Sequence, residues 1–546
     1  MTTSYAFPTL APRPPLAENT VYLTTGGDLR EPANIAGWPT QSAFEKVISD
    51  VLAEEGWAVT RAFDVDPGKG HGFVTTQAQG VEVFRHIPKE APLVVVICTW
   101  QYSHHVLPGL RDHQGPVLTV ANFAPDWPGL VGMANLNASL TKASIPYSTI
   151  WSVDGTDDWF REGVRTWLRT GKIEHDASHV RDLPQLPESE EKRLGEALAE
   201  QLKNDKAILG VLDEGCMGMY NAIIDDELLN PMGMYKERLS QSELWAQMLT
   251  VPDEEAAAVG QWLRDRGMTF KLGTDDATEL TEEQLLWQYK MYIAALRLAD
   301  DFGLDAIGIQ YQQGLKNLSP ASDLVEGLLN NVERPEVISR DGSRVLYEGQ
   351  ALPCFNEVDE GVGVDSLVTN RVFTAMGLDP ANTLHDVRWG EDYDGQFVWV
   401  YEISGSVPAS HLPNGYASAE AWRQDPVFFP KGGATLNGVA KPGINIWSRV
   451  FIEDGALHVD MGIGDVIALP EEETKRRSNL TNPEWPISHF VLRGITRDQF
   501  MARHKSNHNL VVYVPDEETA VKALTAKAAL FDALGVKVHL CGDVAL

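Results

Sequence analysis

The chain has 546 residues, too many for one core, and predicts about three or four domains. Its 43 % hydrophobic and 22 % charged residues are those of a globular protein. The net charge of −32 (45 basic, 77 acidic residues) repels phosphate backbones and anionic lipid, which argues against nucleic acid and membrane surfaces as partners.

Residues 1–18 are Pro-rich and non-periodic and read as a tail or arm. A strand–helix alternation follows. Val21–Leu23 and Val59–Ala62 read as strands. Between them Gln41–Glu55 reads as a helix with Phe44, Val47, Ile48, Val51 and Leu52 on one face. Leu93–Cys98 has the unbroken apolar run of a buried parallel strand, and Val117–Val120 and Ser148–Trp151 follow it. A helix over Trp159–Leu168 closes a parallel α/β domain spanning 1–172. Ligands bind at strand ends in such sheets, and Thr99–His105, rich in polar and aromatic groups, lies at one.

Residues 173–189 read as a linker into a second α/β domain spanning 173–350. Helices over Glu190–Leu202 and Glu282–Ala299 flank strands over Ala207–Leu212 and Ala306–Ile309. The first of these strands runs into Asp213–Tyr220, whose glycines permit a tight turn or a close backbone approach. Ser240 and Glu243 have the spacing of a capping box. The strand ending at Ile309 leads into Gln310–Gly314, again polar.

From about residue 340 the texture changes, and after the helical pattern it becomes mainly β. A strand-like run, Arg344–Tyr347, precedes four acids between Glu357 and Asp365. A helical pattern over 364–377 follows. Strand-like runs then recur at Phe397–Tyr401, Leu457–Met461, Val466–Leu469, His489–Leu492 and Leu510–Val514. Thr519–Leu534 reads as the last helix and Val536–Leu540 as the last strand. The expected fold class is therefore two Rossmann-like parallel α/β domains followed by a mainly β domain over 351–546.

The four cysteines, Cys98, Cys216, Cys354 and Cys541, form no CxxC pair and read as buried free thiols of a reducing compartment. Met1–Tyr5 is not a basic segment leading into an apolar run, and no window approaches the roughly 18 apolar residues of a membrane span. A cytoplasmic location is expected.

Candidate chemistry gathers in the last domain. An acid run such as Glu357–Asp365 is a solvated loop in one reading and a source of carboxylates at a strand–helix junction in the other. Asp386, in the apolar setting Leu384–Trp389, supplies a second carboxylate, and His489, His504 and His508 are candidate imidazoles. HExxH and clustered Cys/His are absent from the sequence, which disfavours zinc. Two carboxylates and one imidazole suit an octahedral Mn²⁺ or Mg²⁺.

Cys216–Ala222, Lys236–Ser242, Trp100 and Glu357 after their strands, Asp386–Arg388, Ser404–Ser406 and Ser506–His508 together resemble the L-fucose isomerase family of the fucose/arabinose isomerase superfamily, in order over about residues 20–515. The resemblance implies an aldose–ketose isomerase of carbohydrate metabolism that needs Mn²⁺, with Mg²⁺ or Co²⁺ as substitutes. Glu357, Asp386 and His508 would be the metal ligands, and Glu357 and Asp386 also the catalytic pair. It also implies a homo-oligomer, hexameric or trimer-based, whose site is shared between subunits. Trp100, with Arg30 or His105, would then act across the interface. Gln310 or Gln313 would contact the sugar, Trp485 would form an aromatic wall, and Asn507 is a further contact. The Glu357–Asp386 gap is longer and the C-terminal domain shorter than in typical members, which leaves the sugar open. L-Fucose, D-arabinose and related pentoses or 6-deoxyhexoses are the expected substrates. Rival readings are another isomerase, epimerase or lyase of a polyol or keto acid on this scaffold, and a non-catalytic sugar-binding protein.

Overall fold

The computed structural model describes residues 5–546, apart from the side chain of Cys216, so the thiol expected there lies outside the described residues. Cys98, Cys354 and Cys541 are buried free thiols. The described part of the N-terminal arm, 5–18, lies on the first domain through Arg13, whose Nη1 donates to the Phe84 carbonyl at 3.0 Å.

The first domain is a five-stranded parallel sheet of β1 (Thr20–Thr24), β2 (Ala58–Arg61), β3 (Leu93–Ile97), β4 (Val117–Asn122) and β5 (Ser148–Ser152), in the order β2-β1-β3-β4-β5. The strand order reverses between β1 and β3, and a crevice opens there beyond the strand ends. Arg30 follows β1 and Trp100 follows β3, so both project from this switch point. The helix after β1 runs over Glu31–Glu54, ten residues earlier than the apolar periodicity marks it. Pro32 in its first turn is pre-set for helix, and the added turns pack small residues, Ala33 and Gly37, rather than large apolar ones.

A short strand, β6 (Val180–Asp182), leaves this domain and joins the far end of the chain. The second sheet holds β7 (Ala207–Leu212) and β8 (Met234–Leu239), and after the two-residue β9 (Thr269–Phe270) comes β10 (Ala306–Ile309). Its order is β10-β7-β8, all parallel. Ser240 caps the helix Gln241–Met248 by accepting from the Glu243 amide at 3.1 Å. The run Arg344–Tyr347 is not a strand. Val345 forms a single bridge to Ile338, and the left-handed backbone of Tyr347 (φ 48°) ends the extension.

The C-terminal strands are β11 (Asn382–Tyr393), β12 (Gln396–Glu402), β13 (Glu420–Ala421), β14 (Gly443–Glu453), β15 (Ala456–Val466), β16 (Ile487–Leu492), β17 (His508–Val514) and β18 (Lys537–Cys541). Six of them pair antiparallel in the order β14-β17-β11-β12-β16-β15, and β15 pairs back to β14, closing a barrel. β18 extends β15 in parallel and β6 extends β18. The β13 fragment pairs with β9, tying the loop after β12 to the second domain.

The run Val466–Leu469 is likewise not a strand of its own: Val466 is the last residue of β15. Gly464 within β15 breaks the apolar pattern because a side chain there would meet the Phe490 ring, with Cβ 2.3 Å from Cε1. The helix expected over 364–377 starts earlier, at Glu360 inside the acid run, because Asp359 caps it there, and it ends at Ala375. The first domain and the barrel share one apolar core, in which Phe123 meets Trp399 at 6.2 Å between ring centroids. Among the described residues no helix is long and apolar enough to cross a membrane.

Candidate active site

The acid run is buried, not solvated. Glu357, Asp359, Glu360 and Asp365 are between 0 % and 4 % exposed. Such burial is tolerable because each carboxylate is matched. Ser404 Oγ donates to Glu357 Oε1 at 2.9 Å, and Arg449 Nη1 meets Asp359 Oδ2 at 2.6 Å. Lys236 Nζ meets Glu360 Oε2 at 2.9 Å, and Lys527 Nζ meets Asp365 Oδ1 at 2.6 Å. The turn Asn356–Val358 holds two consecutive non-glycine residues in the left-handed region, Glu357 (φ 57°) and Val358 (φ 62°). Each costs about 1–3 kcal/mol, and such strain concentrates at functional turns.

Asp386 and His508 are brought together by register: they are partners across β11 and β17. His508 Nε2 lies 3.4 Å from Asp386 Oδ1, and Asn507 Nδ2 donates to the same oxygen at 3.1 Å. On its other side His508 Nδ1 donates to Asp359 Oδ2 at 2.7 Å. Burial opposes charge on the imidazole, but its hydrogen bonds to Asp359 and Asp386 prevail and raise His508 to about 9. Burial pushes the Glu357 carboxyl up, against the pull of His508 and with the help of Asp386. Burial also works to raise Asp359, but Arg449 and His508 hold it well below the usual carboxylate range.

Glu357, Asp386, Ser404, Asn507 and Arg388 line one side of a single pocket. Its walls are aromatic and apolar: Trp100, Pro128, Val131, Met217, Phe428, Phe429 and Trp485, with Arg30 at one corner. The free volume is about 50 Å³, room for one or two waters. Arg30 pairs with Asp28 through two contacts, Nε–Oδ1 at 2.9 Å and Nη2–Oδ2 at 2.7 Å, and its guanidinium lies 4.8 Å from the Phe428 ring centre. Trp485 Nε1 donates to Gln424 Oε1 at 2.9 Å. Gln424 Nε2 donates to Asp323 Oδ2 and to the Ser404 carbonyl, both at 2.8 Å.

Trp100 and Arg30 therefore reach the pocket within the chain that carries Glu357. The switch point of the first sheet faces the barrel, which is what brings them there. His105, Gln310 and Gln313 do not line the pocket. His105 stacks on Tyr102 at 5.3 Å, and its Nδ1 lies 3.1 Å from the Gly27 carbonyl. Gln310 Nε2 donates to the Gly215 carbonyl at 3.2 Å and so braces the turn that presents Met217. In that turn Gly218 (φ 75°) lies against Tyr102, where a Cβ would be 2.2 Å from the ring. Gln313 is half-buried. Of the three histidines weighed from the sequence, His508 is the one paired with Asp386; His504 stacks on Phe500 at 4.6 Å.

No family model and no curated protein matches this chain. Its chemistry is thus read from its own side chains. Sequence reasoning missed the tether from Asp359, and also Arg388, Met217, Phe428 and Phe429 as pocket residues. Arg388 lies two residues after Asp386 on β11, at an irregularity in the pairing with β12 between Val387 and Trp389.

Among the described residues no three His, Cys, Asp or Glu side chains stand close enough together, as they are, to hold a metal ion. The chemistry of the donors nevertheless fits one. Glu357 and Asp386 supply hard oxygens, and the Nδ1 of His508 is fixed by a carboxylate, the usual outer-shell partner of a metal-bound imidazole. The His508 ring lies between Asp359 and Asp386, so its Nε2 faces the carboxylate that would share the ion with it.

Proposed function

We propose that the chain is a metal-dependent aldose–ketose isomerase. Its substrate would be a free sugar, a pentose or 6-deoxyhexose such as L-fucose or D-arabinose, and the reaction would pass through a cis-enediol. The observation that carries the reading is the buried pair Glu357 and Asp386 facing one pocket, with His508 held against Asp386. The family resemblance points the same way.

Glu357, Asp386 and His508 would hold Mn²⁺, with Mg²⁺ or Co²⁺ as substitutes, and the bound ion would act as a Lewis acid on the sugar's carbonyl and neighbouring hydroxyl. The two carboxylates move the protons. One takes the proton from C2 while the C1 oxygen gains one, which gives the enediol. Return of a proton to C1 and loss of the O2 proton give the ketose. Glu357 and Asp386 face the same pocket, so one can take the proton that the other returns. Asn507 and Ser404 keep the two carboxylates aimed. The aromatic walls exclude water, which strengthens every polar contact inside. The pocket residues named above all come from one chain, and the homo-oligomer that the resemblance implies, hexameric or trimer-based, would add the neighbouring subunit's first domain to the site.

The test is an isomerase assay over L-fucose, D-arabinose and L-arabinose. EDTA should abolish ketose formation and Mn²⁺ should restore it. Absence of ketose from the whole panel with Mn²⁺, Mg²⁺ and Co²⁺ would reject the reading.

A further inference from the structure

Asp323 does not line the pocket, yet it is joined to three of the residues that do, each through one neighbour. It opens the helix Asp323–Leu329 of the second domain and is 0 % exposed. Its Oδ1 accepts from the Tyr311 hydroxyl at 2.8 Å, and the Tyr311 ring stacks on Phe429 with the centroids 5.4 Å apart. Its Oδ2 accepts from Gln424 Nε2 at 2.8 Å, and the same nitrogen donates to the Ser404 carbonyl at 2.8 Å. Gln424 Oε1 accepts from Trp485 Nε1 at 2.9 Å. One carboxylate of the second domain thus connects two aromatic walls of the pocket with the serine that donates to Glu357.

The orientation of the Gln424 amide is dictated by its neighbours. An indole N–H only donates, so it faces the amide oxygen. A carboxylate and a carbonyl only accept from it, so they face the nitrogen. Gly405 packs against this junction with φ 118°, where a Cβ would lie 2.4 Å from Gln424 Nε2 and 2.8 Å from Asp323 Cγ. The backbone that carries Ser404 comes this close only as glycine. Buried polar networks whose members are all matched hold their side chains in one arrangement. Tyr311 and Gln424 both donate to Asp323 and neither is charged, so position 323 has to supply acceptors of fixed direction rather than an anion.

Building on the isomerase reading, we infer that Asp323 is a positioning residue of the pocket. Through Gln424 it fixes both the Trp485 wall and the Ser404 loop that aims Glu357. In this role it touches neither sugar nor ion.

The test uses the full chain labelled with 5-fluorotryptophan, the Trp485 fluorine resonance being assigned by its loss in Trp485→Phe. Calorimetric Mn²⁺ titration is the second readout. Asp323→Leu removes both acceptors at similar volume. The Trp485 resonance should move or broaden, and Mn²⁺ affinity should fall by about 10-fold, the low end for an outer-shell partner. Asp323→Asn still offers its amide oxygen to Gln424, while its NH₂ faces the Tyr311 oxygen, which accepts. It should bring both readouts back toward the wild type, although the stranded Tyr311 proton makes it less stable. A brace with a purely structural role would tie both readouts to stability. Mn²⁺ affinity that follows the melting temperature through both variants therefore overturns the inference, as does a wild-type Trp485 resonance in folded Asp323→Leu. Should Asp323→Leu not fold, Gln424→Met takes its place, and wild-type Mn²⁺ affinity in that variant overturns the inference. A wild type that binds no Mn²⁺ rejects the isomerase reading itself, while the Trp485 resonance still decides the role of Asp323.

Discussion

His508 Nδ1 and Asp359 Oδ2 are 2.7 Å apart, and Asp359 is only two residues beyond Glu357. A single turn thus supplies a carboxylate to the pocket and a second carboxylate to the imidazole behind it. Asp359→Asn keeps the shape and removes the charge. Metal affinity should drop about 10–100-fold, the usual cost of losing an outer-shell partner. Stability should fall by about 3–5 kcal/mol, since Arg449 is left buried without its partner. Calorimetric Mn²⁺ titration and urea unfolding read the two effects separately, and a variant with wild-type metal affinity would refute the tether.

Glu357→Gln and Asp386→Asn are nearly isosteric and leave the turn and the β11–β17 register in place. Each should abolish turnover while the circular dichroism spectrum stays that of the wild type. Near-normal kcat in either purified variant would remove that residue from the proposed proton transfer.

Lys527 and Asp365 form a buried ion pair at 2.6 Å, and Lys527 Nζ also donates to Ser448 Oγ at 2.6 Å. The pair ties the helices Glu360–Ala375 and Glu517–Ala533 to β14. Lys527→Met strands a carboxylate that is 0 % exposed and should cost about 3–5 kcal/mol. Lys527→Met/Asp365→Leu should recover most of that loss. Equal destabilisation of the single and double variants in denaturant melts would show that packing, not charge, dominates there.

Burial, with Arg477 adding to it, holds His489 down at about 4. Its unfolded value is about 6.5. The unfolded chain therefore binds the extra proton between these limits. Stability from this group is intact above about pH 6.5 and is lost as the pH falls toward 4, by at most about 3 kcal/mol. His105, lowered to about 4 chiefly by burial, acts in the same direction. The stability of His489→Gln should fall less steeply with acid than that of the wild type. Parallel curves from pH 7 to pH 4.5 would count against it.

How much of this was legible in the sequence varies by residue type. β3 was plain because five buried apolar residues in a row have few other meanings. β8 was hidden because Lys236, Glu237 and Arg238 look like a solvated helix, whereas Lys236 in fact reaches inward to Glu360. Long β15 was cut short by Gly464, whose role is to admit a ring from the neighbouring strand. In the site, the set Glu357, Asp386 and His508 comes from the family resemblance, and the strand register places Asp386 beside His508. Phe428 and Phe429 were missed because they lie in a loop without periodicity. Arg388 carries no sequence signal of its own beyond the Asp386–Arg388 run, because a bulge is a property of strand pairing and leaves no trace in one strand's sequence. That Trp100 lines the pocket of its own chain follows from the facing of the first sheet, which no local pattern encodes.

The shared core of the first domain and the barrel also constrains how a ligand gets in. A pocket with about 50 Å³ to spare is too small for a sugar as it stands. Rocking the first domain away would tear apart the packing around Phe123 and Trp399, so a hinge is a costly route. A cheaper source of room is the segment bearing Phe428, which is anchored at Arg423 but carries a partly exposed Phe428 over Arg30. Uptake would then be throttled by a local loop displacement: the observed binding rate should level off at high ligand concentration in stopped-flow fluorescence, and Phe428→Ala should lift that ceiling.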